Sequence, residues 1–115
     1  MILIFLISFF LPRPIGSDTS YRLAVWNVGQ GAAATLLHGP RCVHVDMGGE
    51  FFPKVLIEKC RLKKNFLYIT HFDMDHIDFI GKARRLLADF CLGTAVPPTI
   101  SRRKQRMLIG IPHCP

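Results

Sequence analysis

The stretch THFDMDHID, Thr70 to Asp78, places two histidines and three aspartates within nine positions. Imidazole nitrogen suits zinc, iron or manganese, and carboxylate oxygen suits harder ions. Alternate positions of an extended segment point to one side, so His71, Asp73 and Asp75 can converge. His76, the next residue, then points elsewhere and can serve a second ion. Two ions roughly 3.5–4 Å apart form the clamp that many phosphoesterases and nucleases use. Simpler roles exist for the aspartates. Asp75 can N-cap a following helix, and Asp73 can close an Asx-turn. Those roles leave the two histidines without a reason.

Such a cluster needs rigid elements on both sides, and the flanking sequence supplies them. FLYIT, before it, is short, apolar and β-rich, which predicts a buried strand. After it, Ile77, Ile80, Leu87 and Phe90 recur at helical spacing, and Lys82, Arg84 and Arg85 fall mostly off that stripe. A helix is predicted from about Ile77 to Phe90. Ligands at the carboxyl end of a strand, just before a helix, sit where open α/β sheets place their sites. Upstream, YRLAVWNV predicts a strand, GQG a tight turn, AAATLLHG a second strand and GPR another turn. CVHVDM alternates Cys42, His44 and Asp46 against Val43, Val45 and Met47, a third strand. A helix is expected from Pro53 to the basic RLKKN, with Val55, Leu56, Lys59 and Cys60 on one face. Hairpins followed by a βα unit imply an α/β (α+β) class, a mixed sheet with helices packed on it. From Cys91 onward, Pro97-Pro98 and SRRKQR give no assignable element.

The 115 residues suffice for one small domain, and half of them are hydrophobic, which excludes a disordered polar tail. A net charge of +7 and a pI near 9.7 favour anionic partners or simply solubility. The run Ile2 to Leu11, broken only by Ser8, falls short of the about 20 apolar residues that span a bilayer. It has the length of a signal-peptide core, although no Lys or Arg precedes it. Residues 1–16 are therefore expected to be a signal-like or membrane-proximal segment, implying export or membrane association. The four cysteines, Cys42, Cys60, Cys91 and Cys114, show no CxxC spacing, which argues against a zinc knuckle. They allow three full disulfide pairings, or unpaired buried thiols.

The cluster THFDMDHID resembles the signature loop of the metallo-β-lactamase superfamily, HxHxDH. It is closer to the HxDxDH variant in the hydrolase domain of ComEC-type competence proteins. WNVGQGAAATLL resembles that family's opening DVGQGDA, and VHVDMGG its LIDTGG, in the same order. The resemblance covers residues 21–90 and leaves 91–115 as an unassigned basic tail. It implies the amino-terminal half of a metallo-β-lactamase-like αββα sandwich, with helices on one face of its sheet. It implies two divalent metal ions, zinc or manganese. His71 and Asp73 would bind the first; Asp75, which also carries the catalytic role, and His76 would bind the second. A hydroxide between the ions would attack the substrate, its pKa lowered by them. Asp46 would brace the metal loop from beneath. Gly48 and Gly49 would let the chain turn there, and Gly29 and Gly31 would form the first tight turn.

Two departures sit in the first motif: Asn27 and Ala32 stand where the family usually has Asp. The family fold takes about twice this length, and its later segments supply further ligands. After His76 only His113 and two aspartates, Asp78 and Asp89, remain, none in a recognisable motif. The expectation is a metal-dependent hydrolase of phosphodiesters, DNA foremost and competence-related, cut to its first half by a truncated reading frame or completed by an oligomer or partner. The alternative is an inactive remnant that binds polyanions through Lys82, Arg84, Arg85, Arg102, Arg103, Lys104 and Arg106.

Overall fold

The computed structural model describes residues 20–115. The apolar run from Ile2 to Leu11 lies outside them. Five strands form one mixed sheet in chain order: β1 (Tyr21–Val25), β2 (Ala33–His38), β3 (Arg41–Met47), β4 (Lys64–Tyr68) and β5 (Phe90–Leu92). β1, β2 and β3 are antiparallel neighbours, whereas β4 and β5 run parallel to β3. A parallel neighbour requires a crossover, and each crossover carries helix. Helix α1 (Lys54–Cys60) joins β3 to β4; α2 (Met74–Ile77) and α3 (Ile80–Leu86) join β4 to β5. Helix α4 (Arg102–Leu108) follows, N-capped by the Ser101 hydroxyl, which accepts from the Lys104 amide. The class is α+β with a five-stranded mixed sheet.

One face of the sheet carries Cys42, His44, Asn65, Leu67, Phe90 and Leu92, all buried. They pack in one core with Leu56 and Cys60 of α1, Ile80 and Ala83 of α3 and Leu108 of α4. Disulfide Cys42–Cys60 ties α1 to β3, and Cys91–Cys114 ties the C-terminal segment to β5. The opposite face, which includes Leu23, Val25, Val45 and Tyr68, is exposed.

Three local expectations are corrected. The helix expected over Ile77 to Phe90 is broken and ends early. The Asp75 carbonyl accepts from the Ala32 amide, and the Phe79 amide donates to the Met47 carbonyl. The i to i−4 bond between those two groups is therefore missing, and the helix restarts at Ile80. Phe90 belongs to β5 instead, although all four residues of the stripe are buried. On α1 Leu56 and Cys60, one turn apart, are buried and Ile57 packs against the core; Val55 and Lys59 are exposed. Residues 91–115, given no elements from sequence, fold back on the sheet. Leu108 and Ile111 join the core, and the Leu92 amide and carbonyl pair with Pro112 and Cys114.

Polar groups buried between sheet and helices must be paired, and one chain of bonds does this. The Trp26 indole N–H donates to the Thr35 hydroxyl at 2.9 Å. That hydroxyl donates to His44 Nδ1 at 2.9 Å, and His44 Nε2–H donates to Asn65 Oδ1 at 2.8 Å. The Asn65 amide then donates to the carbonyls of Cys60, Lys63 and Ala88. This fastens β1 through β4 to both crossovers. It accommodates only a neutral imidazole, and burial lowers the His44 pKa from 6.5 to about 4, against the opposing Asn65 bond.

The unfolded chain therefore binds a proton between pH 6.5 and about 4 that the folded chain rejects. The His44 contribution is fully present above pH 6.5 and is lost as pH falls through about 4; the gap is worth about 3 kcal/mol. Urea midpoints should fall across this window in the native chain and much less in His44→Gln, which keeps a donor toward Asn65. Equal slopes in the two proteins would refute the assignment.

Candidate metal centre

Strand β3 ends irregularly. Ala34 pairs with Val45 and Ala33 with Met47, so Asp46 is the extra residue of a β-bulge. Its φ is +59°, left-handed and uncommon outside glycine, asparagine and aspartate. Bulges re-aim side chains at sheet ends. Here both Asp46 and Met47 become buried, Met47 in the core and Asp46 toward the loop after β4.

That carboxylate organises the loop. The Thr70 amide donates to Asp46 Oδ1 at 2.8 Å, and the Thr70 hydroxyl donates to Oδ2 at 2.5 Å. His76 Nδ1–H also donates to Oδ2, at 2.8 Å. Having given its proton to Asp46, the Thr70 hydroxyl accepts from His71 Nδ1–H at 3.1 Å. In the neutral form of either ring the free lone pair is thus on Nε2, and the ring centres lie 5.4 Å apart. A carboxylate behind a histidine is the usual means of fixing a metal ligand's tautomer and orientation. The Asp46 hydrogen bond, first, and the charges of Asp46, Asp75 and Asp73 raise the His76 pKa above its ordinary value, while partial burial opposes them.

Three loops meet at this end of the sheet. Besides the Ala32–Asp75 bond, the Gly48 amide donates to the Ala32 carbonyl at 3.0 Å and the Gly49 amide to Asp78 Oδ1 at 2.9 Å. Gly29 and Gly31 lie in the β1–β2 connection, where the Gln30 amide donates to Glu50 Oε2. Gly48 is sterically obligatory, because a Cβ there would overlap the Asp75 carbonyl and the His76 amide. Gly49 has φ +144° and a Cβ would lie 2.6 Å from Val28 Cβ.

The four candidate ligands are not equally gathered. His76 Nε2 lies 3.9 Å from Asp75 Oδ1, and His71 faces His76. Asp73 is the N-cap residue of α2, with no side-chain capping bond, and its carboxylate is exposed. Asp75 sits in the first turn of α2 rather than capping it. Among the described residues, no three histidine, cysteine or carboxylate groups come together closely enough to hold an ion. The donor chemistry and the braced rings suit a divalent metal; the donor count around one point does not. A catalytic zinc takes three protein ligands, more than the described residues bring to one point. Asn27, exposed, bonds through Oδ1 to the Gly29 amide at 3.4 Å, within its own turn. A cavity of about 190 Å³ lined by Arg22, His38, Lys59 and Lys63 lies at the opposite end of the sheet, away from this chemistry.

Thr70, Asp78 and Glu50 carry roles that sequence reading did not give them. Thr70 had a visible signal, a hydroxyl between the strand and the first histidine. Asp78 and Glu50 act on backbone amides distant in sequence, which no local pattern encodes. Of the basic residues, Arg84 is engaged, donating to the Met107 and Ile109 carbonyls at the end of α4. Lys82 lies 4.5 Å over the Phe52 ring.

Fold and site together define a small α+β domain with a carboxylate-braced histidine loop at one end of its sheet. No family model, curated protein or solved structure matches this chain.

Two variants test the bracing. In Asp46→Asn, which tolerates the left-handed backbone, the His76 pKa should drop and unfolding should become easier by about 1–3 kcal/mol. NMR titration of the imidazole reads the first and denaturant unfolding the second; an unmoved His76 titration would contradict the role of Asp46. Gly48→Ala should cost about 2–4 kcal/mol, since the loops on both sides are backbone-bonded. A variant as stable as the native chain would mean that the loops do not pack as described.

Proposed function

We propose that this chain is the amino-terminal half of a metal-dependent hydrolase of the metallo-β-lactamase superfamily, related to the hydrolase domain of ComEC-type competence proteins. The observation that carries the reading is Asp46, which holds His76 directly and His71 through Thr70, leaving each Nε2 free. Nothing in the stability of a turn calls for two histidines oriented in this way. His71, Asp73, Asp75 and His76 would hold two divalent ions, zinc or manganese. When bound, such ions supply an activated hydroxide and neutralise charge on a phosphodiester. The basic balance of the chain suits DNA. The sheet with helices on one face would be half of an αββα sandwich, and the second half or another chain would supply the remaining donors. Two disulfides favour an oxidising compartment, hence export. No helix among the described residues is long and apolar enough to cross a membrane.

A second reading is favoured by the incomplete donor set. On it, the domain is an inactive remnant that binds polyanions through the exposed Arg102, Arg103 and Arg106 of α4. Steeply salt-dependent DNA binding with no metal uptake would select it.

Calorimetric titration of the folded, disulfide-intact chain with zinc and with manganese separates the two. Under the hydrolase reading an ion binds, His76→Ala abolishes binding, and Asp46→Asn weakens it at least about tenfold. A folded chain that takes up neither ion would end the hydrolase reading.

A further inference from the structure

The sheet face that no helix among the described residues covers is apolar across all five strands. Pairing aligns Leu23, Leu36, Val43, Phe66 and Cys91 in one row and Val25, Ala34, Val45 and Tyr68 in the next. The Tyr68 ring lies against Gly93, where a Cβ would be 2.5 Å from it. Neither row contains a charge. Leu23 is 69 % exposed and Val25 77 %, and Val45 and Tyr68 exceed 40 %. Parallel strands are ordinarily buried on both faces, and a contiguous apolar patch of this kind marks an interaction surface.

We propose that this face packs against the same face of a second copy of the chain. Charge and size both point to a copy. Among the described residues, the cationic positions on the face, Arg41 and Lys64, are register neighbours in the row at one end, beside His38. A two-fold axis through the apolar rows sends the two basic ends to opposite sides, so a chain of net charge +7 meets itself without opposing its cations. Isologous contact of this kind requires self-complementarity, which two apolar rows without a charge provide. Nine positions, about 4.8 Å apart across the strands and about 6.8 Å apart along them, give a footprint of roughly 300 Å². With side-chain relief and the Tyr21–His38 rim, two copies would bury on the order of 1,000 Å², the lower bound of a stable pair. Sheets packed face to face lie about 10 Å apart with strands within about 30° of alignment. The proposal does not rest on the metal reading, since the braced histidines lie at the end of the sheet and outside both rows.

Sedimentation equilibrium of the full, disulfide-intact chain over roughly 1–200 µM spans the range expected of so small an interface. The native chain should pass from monomer to dimer, and stop there. Val45→Lys, at the centre of the face, should raise the dissociation constant at least about tenfold. Val55→Lys, equally exposed but on the helical side, should leave it unchanged, and far-ultraviolet circular dichroism should show all three folded. A native chain monomeric at 200 µM overturns the proposal. So does a dimer that Val45→Lys leaves intact, or a monomer that binds neutral phosphatidylcholine vesicles and loses that binding in Val45→Lys.

Discussion

A carboxylate buried at the end of a strand must find donors, and Asp46 finds three. Two come from Thr70 and one from His76, so a single charge fixes the exit of β4 and the first turn of the helix that follows. The requirement reaches further. To aim inward, Asp46 needs the bulge and a left-handed backbone. For the loop to reach it, the Asp75–His76 peptide must lie directly on Gly48, where no side chain fits. The Asp75 carbonyl, drawn to Ala32, is then lost to the helix, which breaks before Ile80. Bulge, glycine pair and broken helix are consequences of one charge position.

The interior is held in a complementary way. Trp26, Thr35, His44 and Asn65 make an unbroken series of donors and acceptors through the core, and no buried side-chain polar atom among the described residues is left without a partner. Such a series specifies register, because sliding β2 or β4 by one residue would break it. The remaining sheet face carries no comparable specification. Its side chains are apolar and interchangeable in chemistry, which suits packing against another apolar layer.

Elements with strong local signals were legible in the sequence. The alternation of β3, the strand character of β4 and the turn at GQG each follow from residue type and period, and the structure has them with shifted ends. What period could not show was competition between distant groups. The stripe Ile77, Ile80, Leu87 and Phe90 is apolar at helical spacing, and nothing in it reveals that Met47 and Ala32 would take both partners of one of the helix's hydrogen bonds. In sequence, His44 is merely a polar member of an alternating strand; its burial depends on Thr35 and Asn65, nine and twenty-one residues away. Helix α4 was hidden because RRKQR is polar on most sides and only Leu108 is buried. The gathering of the three glycine-bearing loops at one sheet end was readable from their order, whereas the spacing of the four ligand candidates was not.

The Cys91–Cys114 link gives the sheet unequal borders. On the β5 side the outward amide and carbonyl of Leu92 are occupied by the returning C-terminal segment, which the disulfide holds in place. On the β1 side no strand follows among the described residues. Strand addition at the β5 border is therefore blocked while the thiols stay oxidised. In a reducing compartment the strap would lose its tether, and the β5 border would open to association.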